Sequence, residues 1–198
     1  MRKRVPGPLR VLLAGAQTGG HLYPAVAVGR RLVERGAEVT LVASGEPAER
    51  DVLVEAGLRV EVLKVGKLNG IGLGVRVRAL AGMPGSLLRA RSIVSRVDPD
   101  VAVGFGGFTT GPLLLAASLC GVPVAICEEN SIPGLTNRIL SRFATRVFVG
   151  YDEAGQRLGA SKAVRTGTPV RPALLDVPAK AWSAPGRRVF VFGGSQGS

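Results

Sequence analysis

Aromatic residues are scarce in this 198-residue chain, at 5% of the total. Basic and aromatic side chains do not interleave, so the sequence offers no stacking platform for bases. A basic nucleic-acid-binding module is left as a minor alternative on charge alone. There are two cysteines, Cys120 and Cys127. They have no metal-ligand spacing and cannot build a disulfide framework, so both are expected to be reduced core residues of a cytosolic protein. No metal site is expected. The only histidine is His21. No apolar run reaches the roughly 18 residues of a membrane-spanning helix. The basic start Met1-Arg2-Lys3-Arg4 is followed by Pro6, Gly7 and Pro8. The apolar run after it is about six residues, too short for the core of a signal peptide. Acidic residues are also in deficit, 14 against 26 Lys and Arg, for a net charge of +12. Such a charge draws the protein toward acidic partners: nucleic acid, anionic lipid or phosphorylated substrates.

What is present is a regular alternation. Strand-like apolar runs fall at 10–14, 38–43, 59–63, 101–105, 123–127, 146–149 and 163–165. Helical patterns fall between them at 24–35, 47–56, 75–96 (broken near Pro84-Gly85), 111–120, 134–143 and 152–158. Gly36, Gly57 and Gly121 stand where helices should stop. Uniformly apolar strands alternating with helices predict an α/β fold, a Rossmann-like parallel sheet covered on both faces. Its ligands belong beyond the carboxyl ends of the strands. The proline-rich segment 166–187 reads as an interdomain linker after a domain at 1–165. Residues 188–198 read as the first strand and Gly-rich turn of a second α/β unit, so the chain is expected to be a fragment, inactive by itself.

Four loops carry candidate chemistry. The first, Gly15-Ala16-Gln17-Thr18-Gly19-Gly20-His21, joins a strand to a helix N-terminus. There the unpaired N–H groups and the dipole favour an anion. Its spacing is not the dinucleotide pattern G-x-G-x-x-G, which disfavours a nicotinamide-dependent oxidoreductase, and no lysine follows to make a P-loop. His21 adds the side chain that changes charge near neutral pH. The second loop, Gly104 to Pro112, places Gly106, Gly107, Thr109, Thr110 and Gly111 at another helix start. The third, Cys127-Glu128-Glu129-Asn130-Ser131 with Asn137 behind it, offers carboxylates and amides for sugar hydroxyls or for a general base. The fourth, Gly167-Thr168-Pro169-Val170-Arg171, offers an arginine able to grip a diphosphate. A separate stretch between Glu61 and Asp98 has no acidic residue. It interleaves Arg76, Arg78 and Arg89 with Leu80, Met83 and Leu87, the composition of a surface that lies on anionic lipid.

The motifs T-G-G-H, G-G-F-x-x-G-P, E-x-N-x-x-x-G-L-T-N, G-x-P-V-R and G-G-S-Q-G occur here in that order. With them the chain resembles the MurG family, bacterial glycosyltransferases that make lipid II. The resemblance implies the N-terminal, acceptor-binding domain of a two-domain GT-B glycosyltransferase. It implies inverting transfer of N-acetylglucosamine from UDP-GlcNAc to the C4 hydroxyl of lipid I, with no cofactor and no required metal. Thr18, Gly19, Gly20, Asn130, Arg171 and Ser195 match donor-contacting positions. Gly106, Gly107, Thr109, Thr110, Gly111 and Asn137 match the loops facing the acceptor diphosphate. Arg76, Arg78, Leu80, Met83, Leu87 and Arg89 match the membrane-facing region, which puts the protein peripherally on the cytoplasmic face of the inner membrane. Inverting transfer needs a base at the attacking hydroxyl; His21 and Glu128 are the candidates, His21 preferred. The family pattern is departed from at Ala16-Gln17, at Phe108, and at Cys127 and Glu129, the last expected to add a charge. Another GT-B glycosyltransferase, acting on a glycolipid or a small-molecule acceptor, is the main alternative.

Overall fold

The computed structural model describes residues 7–16, 19–65, 73–171 and 176, with only the helical backbone given at 73–81. Seven strands form one sheet: β1 Arg10–Ala14, β2 Glu38–Ala43, β3 Arg59–Val62, β4 Val101–Gly104, β5 Val124–Glu128, β6 Arg146–Val149 and β7 Ala163–Arg165. Their order is β3-β2-β1-β4-β5-β6-β7, and all neighbours run parallel. Six helices connect them: α1 Gly19–Glu34, α2 Arg50–Ala56, α3 Leu73–Val97, α4 Thr110–Leu119, α5 Leu135–Leu140 and α6 Asp152–Leu158.

The central strands are apolar at 11–14, 101–104 and 124–127 because both of their faces are covered. Val11 and Leu13 of β1 point toward Leu22, Ala25 and Val26 of α1, with Ala56 of α2 in the same cluster. Leu12 and Ala14 point the other way, into a larger core with Ile93 and Val94 of α3, Leu113 and Leu114 of α4, Leu140 of α5 and Leu158 of α6. Alternation along a strand thus divides the helices into two layers. Gly36, Gly57 and Gly121 follow α1, α2 and α4 with φ of 83°, 65° and 76°, as the helix stops require. The sheet reverses direction of growth between β1 and β4, so the loops leaving these two adjacent strands face each other at the carboxyl end.

Three sequence expectations change. α1 begins at Gly19, not Pro24, which places His21 inside the first helical turn. Pro24 is tolerated near that end, where its missing N–H forfeits only one intrahelical bond, to Gly20. α3 is not broken at Pro84-Gly85 but runs unbroken from Leu73 to Val97. The Ser86 hydroxyl there donates to the Gly82 carbonyl at 3.1 Å, and the helix is held by its packing on α4. Of the two cysteines expected in the core, Cys127 is buried but Cys120 is exposed, because it lies at the C-cap of α4, past the last core-facing residue.

Candidate functional site

The loops after β1 and β4 are fastened together before any ligand is considered. The Phe105 N–H donates to the Ala14 carbonyl at 2.8 Å, extending the ladder one residue past β4. The Thr110 hydroxyl donates to the Gly106 carbonyl at 2.5 Å and lies 3.3 Å from the Ala14 carbonyl oxygen. Gly106 and Gly107 have φ of 106° and 85°, a region that side chains disfavour. A Cβ on Gly106 would sit 2.7 Å from His21 Nε2, and one on Gly107 2.8 Å from the Ala16 carbonyl oxygen and 3.7 Å from His21 Nδ1. The imidazole of α1 is therefore seated directly against the β4 loop, and the two glycines are what make room for it.

His21 has its pKa lowered from the usual 6.5, first by burial; the charge of Glu128 and a hydrogen bond to the Ala16 backbone oppose this. The ring is consequently neutral at pH 7. Its neighbour in the α1 turn, Tyr23, carries the Arg171 guanidinium over its ring, 4.6 Å from the centroid. That stack brings the segment after β7 back to α1. It went unnoticed in the sequence because Tyr23 lies 148 positions from Arg171 and carries no motif of its own.

Glu128, the other candidate base, is 3% exposed. Its Oε1 accepts from the Asn130 backbone N–H at 3.0 Å and from Asn130 Nδ2 at 2.9 Å. Its Oε2 accepts from the Gly134 N–H and from Asn137 Nδ2, each at 3.0 Å. All of these donors come from its own loop and from α5. The carboxylate is spent on shaping that loop, which argues against a base with a lone pair turned to a substrate. Asn137, expected at an anion, is 3% exposed, and its amide nitrogen also donates to the Cys127 carbonyl at 3.0 Å. Thr109 and Thr110 are both fully buried, the first with no partner for its hydroxyl among the described residues, so neither side chain is presented to an anion here. Gly19, Gly20, Gly107, Gly111, Asn130 and Arg171 remain at or near the surface. Thr18 and Ser195 lie outside the described residues, as do most of the expected linker at 166–187 and all of 188–198.

Glu129 does not add the charge expected of it near neutral pH. Both its carboxyl oxygens are buried, and among the described residues no other residue donates to them. Burial, with the charge of Glu128 adding to it against a backbone hydrogen bond, pushes its pKa up to about 8. The same burial raises the Cys127 thiol beside it. On the opposite layer, α3 presents Met83, Leu88 and Arg89 to solvent, and the loop before α5 and α5 itself present Ile132, Leu135 and Ile139. Leu87, expected on the exposed apolar strip, is instead half-buried against the core; Leu88 takes its place outside. The side chains of Arg76, Arg78 and Leu80 lie outside the described residues. No helix among the described residues is long and apolar enough to cross a membrane.

Comparisons with known proteins converge on this arrangement. The glycosyltransferase family 28 N-terminal domain matches residues 11–149. The UDP-N-acetylglucosamine–N-acetylmuramyl-(pentapeptide) pyrophosphoryl-undecaprenol N-acetylglucosamine transferase of Syntrophus aciditrophicus is 42% identical over 193 residues, covering 96% of this chain and 54% of its own length. The chain thus spans about half the length of the curated relatives it matches. The crystal structure of MurG from Acinetobacter baumannii superposes with a TM-score of 0.70 at 29% identity, over 83% of this chain and 47% of that one. A UDP-GlcNAc 2-epimerase from Neisseria meningitidis, at 18% identity and a TM-score of 0.62 over 83% of this chain and 48% of that one, shares the fold. With a seven-stranded parallel sheet, a glycine-lined switch point and a family match across nearly the whole sheet, the chain belongs to the glycosyltransferase family 28 N-terminal domain family.

Proposed function

We propose that this chain supplies the acceptor half of an enzyme that transfers N-acetylglucosamine from UDP-GlcNAc to the C4 hydroxyl of lipid I, with inversion, to give lipid II. The single observation that carries the reading is the neutral imidazole of His21, held against Gly106 and Gly107 at the switch point of the sheet. The transfer removes a proton from an alcohol, so a neutral base must stand where that alcohol is bound. The hydrogen bond to the Ala16 backbone, together with the contact on Gly106 and Gly107, orients the ring at the β4 loop. The backbone N–H groups at the starts of α1 and α4 would receive the acceptor diphosphate, so the glycines at 19, 20, 107 and 111 matter more than the buried threonines. Gly19, Gly20, Asn130 and Arg171, with Thr18 and Ser195, would meet the donor. Relatives named for this reaction, at 36–42% identity, support the substrate pair. No metal or cofactor has a part in this mechanism. The test is transfer of radiolabelled N-acetylglucosamine from UDP-GlcNAc to a lipid I analogue, by a protein that joins this chain to the second half its relatives carry. Labelled lipid II is the expected product. Label passing only to another glycolipid or to a small-molecule acceptor would support the rival GT-B assignment.

The same reading places the protein peripherally at the cytoplasmic face of the bacterial inner membrane. The exposed Met83, Leu88 and Arg89 on α3 support it. A juxtamembrane Lys or Arg is worth about 1 kcal/mol near an anionic surface, so replacing Arg76, Arg78 and Arg89 by serine is expected to weaken vesicle binding about 100-fold. Co-sedimentation with vesicles containing anionic lipid, run at low and high salt, reads this directly. Binding that ignored both salt and the three substitutions would assign the attachment to apolar insertion alone.

A further inference from the structure

Arg171 follows the edge strand β7 in sequence, yet its guanidinium rests on α1. In the sheet, β6 and β5 separate β7 from β4, whose loop meets α1 at His21. The segment after β7 therefore crosses the carboxyl ends of both strands, and its contacts mark the path. The Thr166 N–H donates to the Val149 carbonyl at 3.0 Å, at the end of β6. Thr168 then passes Gly150: a Cβ there would come 3.0 Å from Thr168 Oγ1 and 3.2 Å from the Glu129 carbonyl oxygen, just past β5. Gly150 itself donates its N–H to the Glu128 carbonyl at 2.9 Å. Beyond it, the Arg171 guanidinium lies 4.6 Å from the centroid of the Tyr23 ring. The first part of the expected interdomain linker is thus a strap laid across the carboxyl edge of the sheet.

The half-buried Tyr23 ring has a second neighbour. A Cβ on Gly19 would come 3.2 Å from Tyr23 Cε2 and 3.3 Å from Cδ2, so the ring lies against the first residue of α1. It stands between Gly19 and Arg171, two residues that the transfer reading assigns to the donor. We propose that Tyr23 is a positioning residue: its ring docks the Arg171 guanidinium beside the N-terminus of α1, where the arginine is in place before the donor diphosphate arrives. The chemistry suits this task. An aromatic face attracts a guanidinium without tying up its N–H groups. Among the described residues the Arg171 side chain makes no ion pair and donates no hydrogen bond, so those groups are left for an anion. A carboxylate in the place of the ring would neutralise the charge a diphosphate needs. The groove that the pair lines, about 260 Å³ between α1 and α2, is also lined by Arg30 and Glu55. Arg30 is committed to the Glu55 and Ala56 carbonyls at the end of α2. The use made of Arg171 rests on the proposed transfer; the docking of its side chain does not.

Two measurements test the proposal. In the chain itself, NMR of the Arg171 side chain should show its Nε and δ-methylene protons displaced upfield by the ring. Tyr23→Phe keeps the aromatic face and should keep the displacement. Tyr23→Leu should abolish it and lower the amide order parameters of Val170 and Arg171, while Thr166, held by Val149, stays ordered. In the protein joined to its second half, the docking should appear in donor affinity, because a group that is already placed costs less to engage. An exposed cation–π contact shifts an equilibrium about 2–5-fold, so Tyr23→Leu should raise KM for UDP-GlcNAc by about that factor. KM for the lipid I analogue and kcat should both change by less than about twofold, and Tyr23→Phe should restore the donor KM. Arg171 protons without displacement in the wild type, or unaffected by Tyr23→Leu, would overturn the docking. An unchanged donor KM in Tyr23→Leu would overturn the positioning role while leaving the transfer reading standing. Failure to form lipid II would sink the transfer reading, and the NMR result would still decide the docking.

Discussion

His21→Ala is expected to lower kcat for N-acetylglucosamine transfer by about 10²–10⁴, the usual contribution of a positioned general base. The size of the effect follows from geometry as much as from residue type. The imidazole is fixed from two sides, by the backbone of its own loop at Ala16 and by the glycine pair of the β4 loop. It therefore spends no freedom in reaching its working position. Its lowered pKa leaves the basic form dominant at neutral pH. The sign of the pH dependence follows. Activity should be full well above 6.5 and should fall as pH drops through the depressed pKa, where the ring takes up a proton and loses its lone pair. The alanine variant should be slow and should lack that acidic limb. Both are read from kcat and kcat/KM profiles of a protein that carries the chain together with its second half. A loss of less than about threefold, with the limb unchanged, would reduce His21 to a packing residue for Gly106 and Gly107.

Much of this was open to sequence reasoning, because glycine and strand patterns report on backbone. The seven strands fall within a residue of where the strand-like runs placed them, and for the central ones the reason is that a strand buried on both faces is largely apolar. Gly106 and Gly107 were legible as a helix-start loop for the same reason: only glycine accepts their φ. What stayed hidden was how side chains partition between the interior and the ligand. Thr109, Thr110 and Asn137 look like ligand-binding groups in a list of polar residues. Whether a threonine hydroxyl turns to an anion or to the Ala14 and Gly106 carbonyls depends on a neighbouring strand nearly 100 positions away. Glu128 and Glu129 show the limit most plainly. They are identical and adjacent, yet one accepts four hydrogen bonds, while among the described residues no other residue donates to the second. Glu128 ends β5 and faces Asn137 and the N–H groups of the following loop, and Glu129 is already past the strand.

That asymmetry makes Glu128 the residue on which the β5 loop depends, and Glu128→Ala is expected to destabilise the protein by about 3–5 kcal/mol. Removing one partner of a buried charged network leaves the others desolvated and unpaired, which costs more than the bonds themselves were worth. Here the stranded groups are the Asn130 and Gly134 N–H groups and the amides of Asn130 and Asn137. For a chain of this size such a loss lowers Tm by roughly 10–15 °C. Glu128→Gln is the informative companion. It keeps the shape and one acceptor oxygen but turns an NH₂ toward donors, so about 1–3 kcal/mol is expected, between wild type and alanine. Thermal and urea unfolding of the three proteins measure the series. If Glu128 were instead the catalytic base, Gln would abolish transfer while leaving Tm nearly untouched, because a base turned toward substrate is not holding its own loop. A graded fall in stability for Gln and then Ala, with Gln retaining measurable turnover, would fix the carboxylate as the strut that presents Asn130. An alanine variant within 1 kcal/mol of wild type would show that the four donors find other partners, and the loop would then owe its shape to the packing of α5 alone.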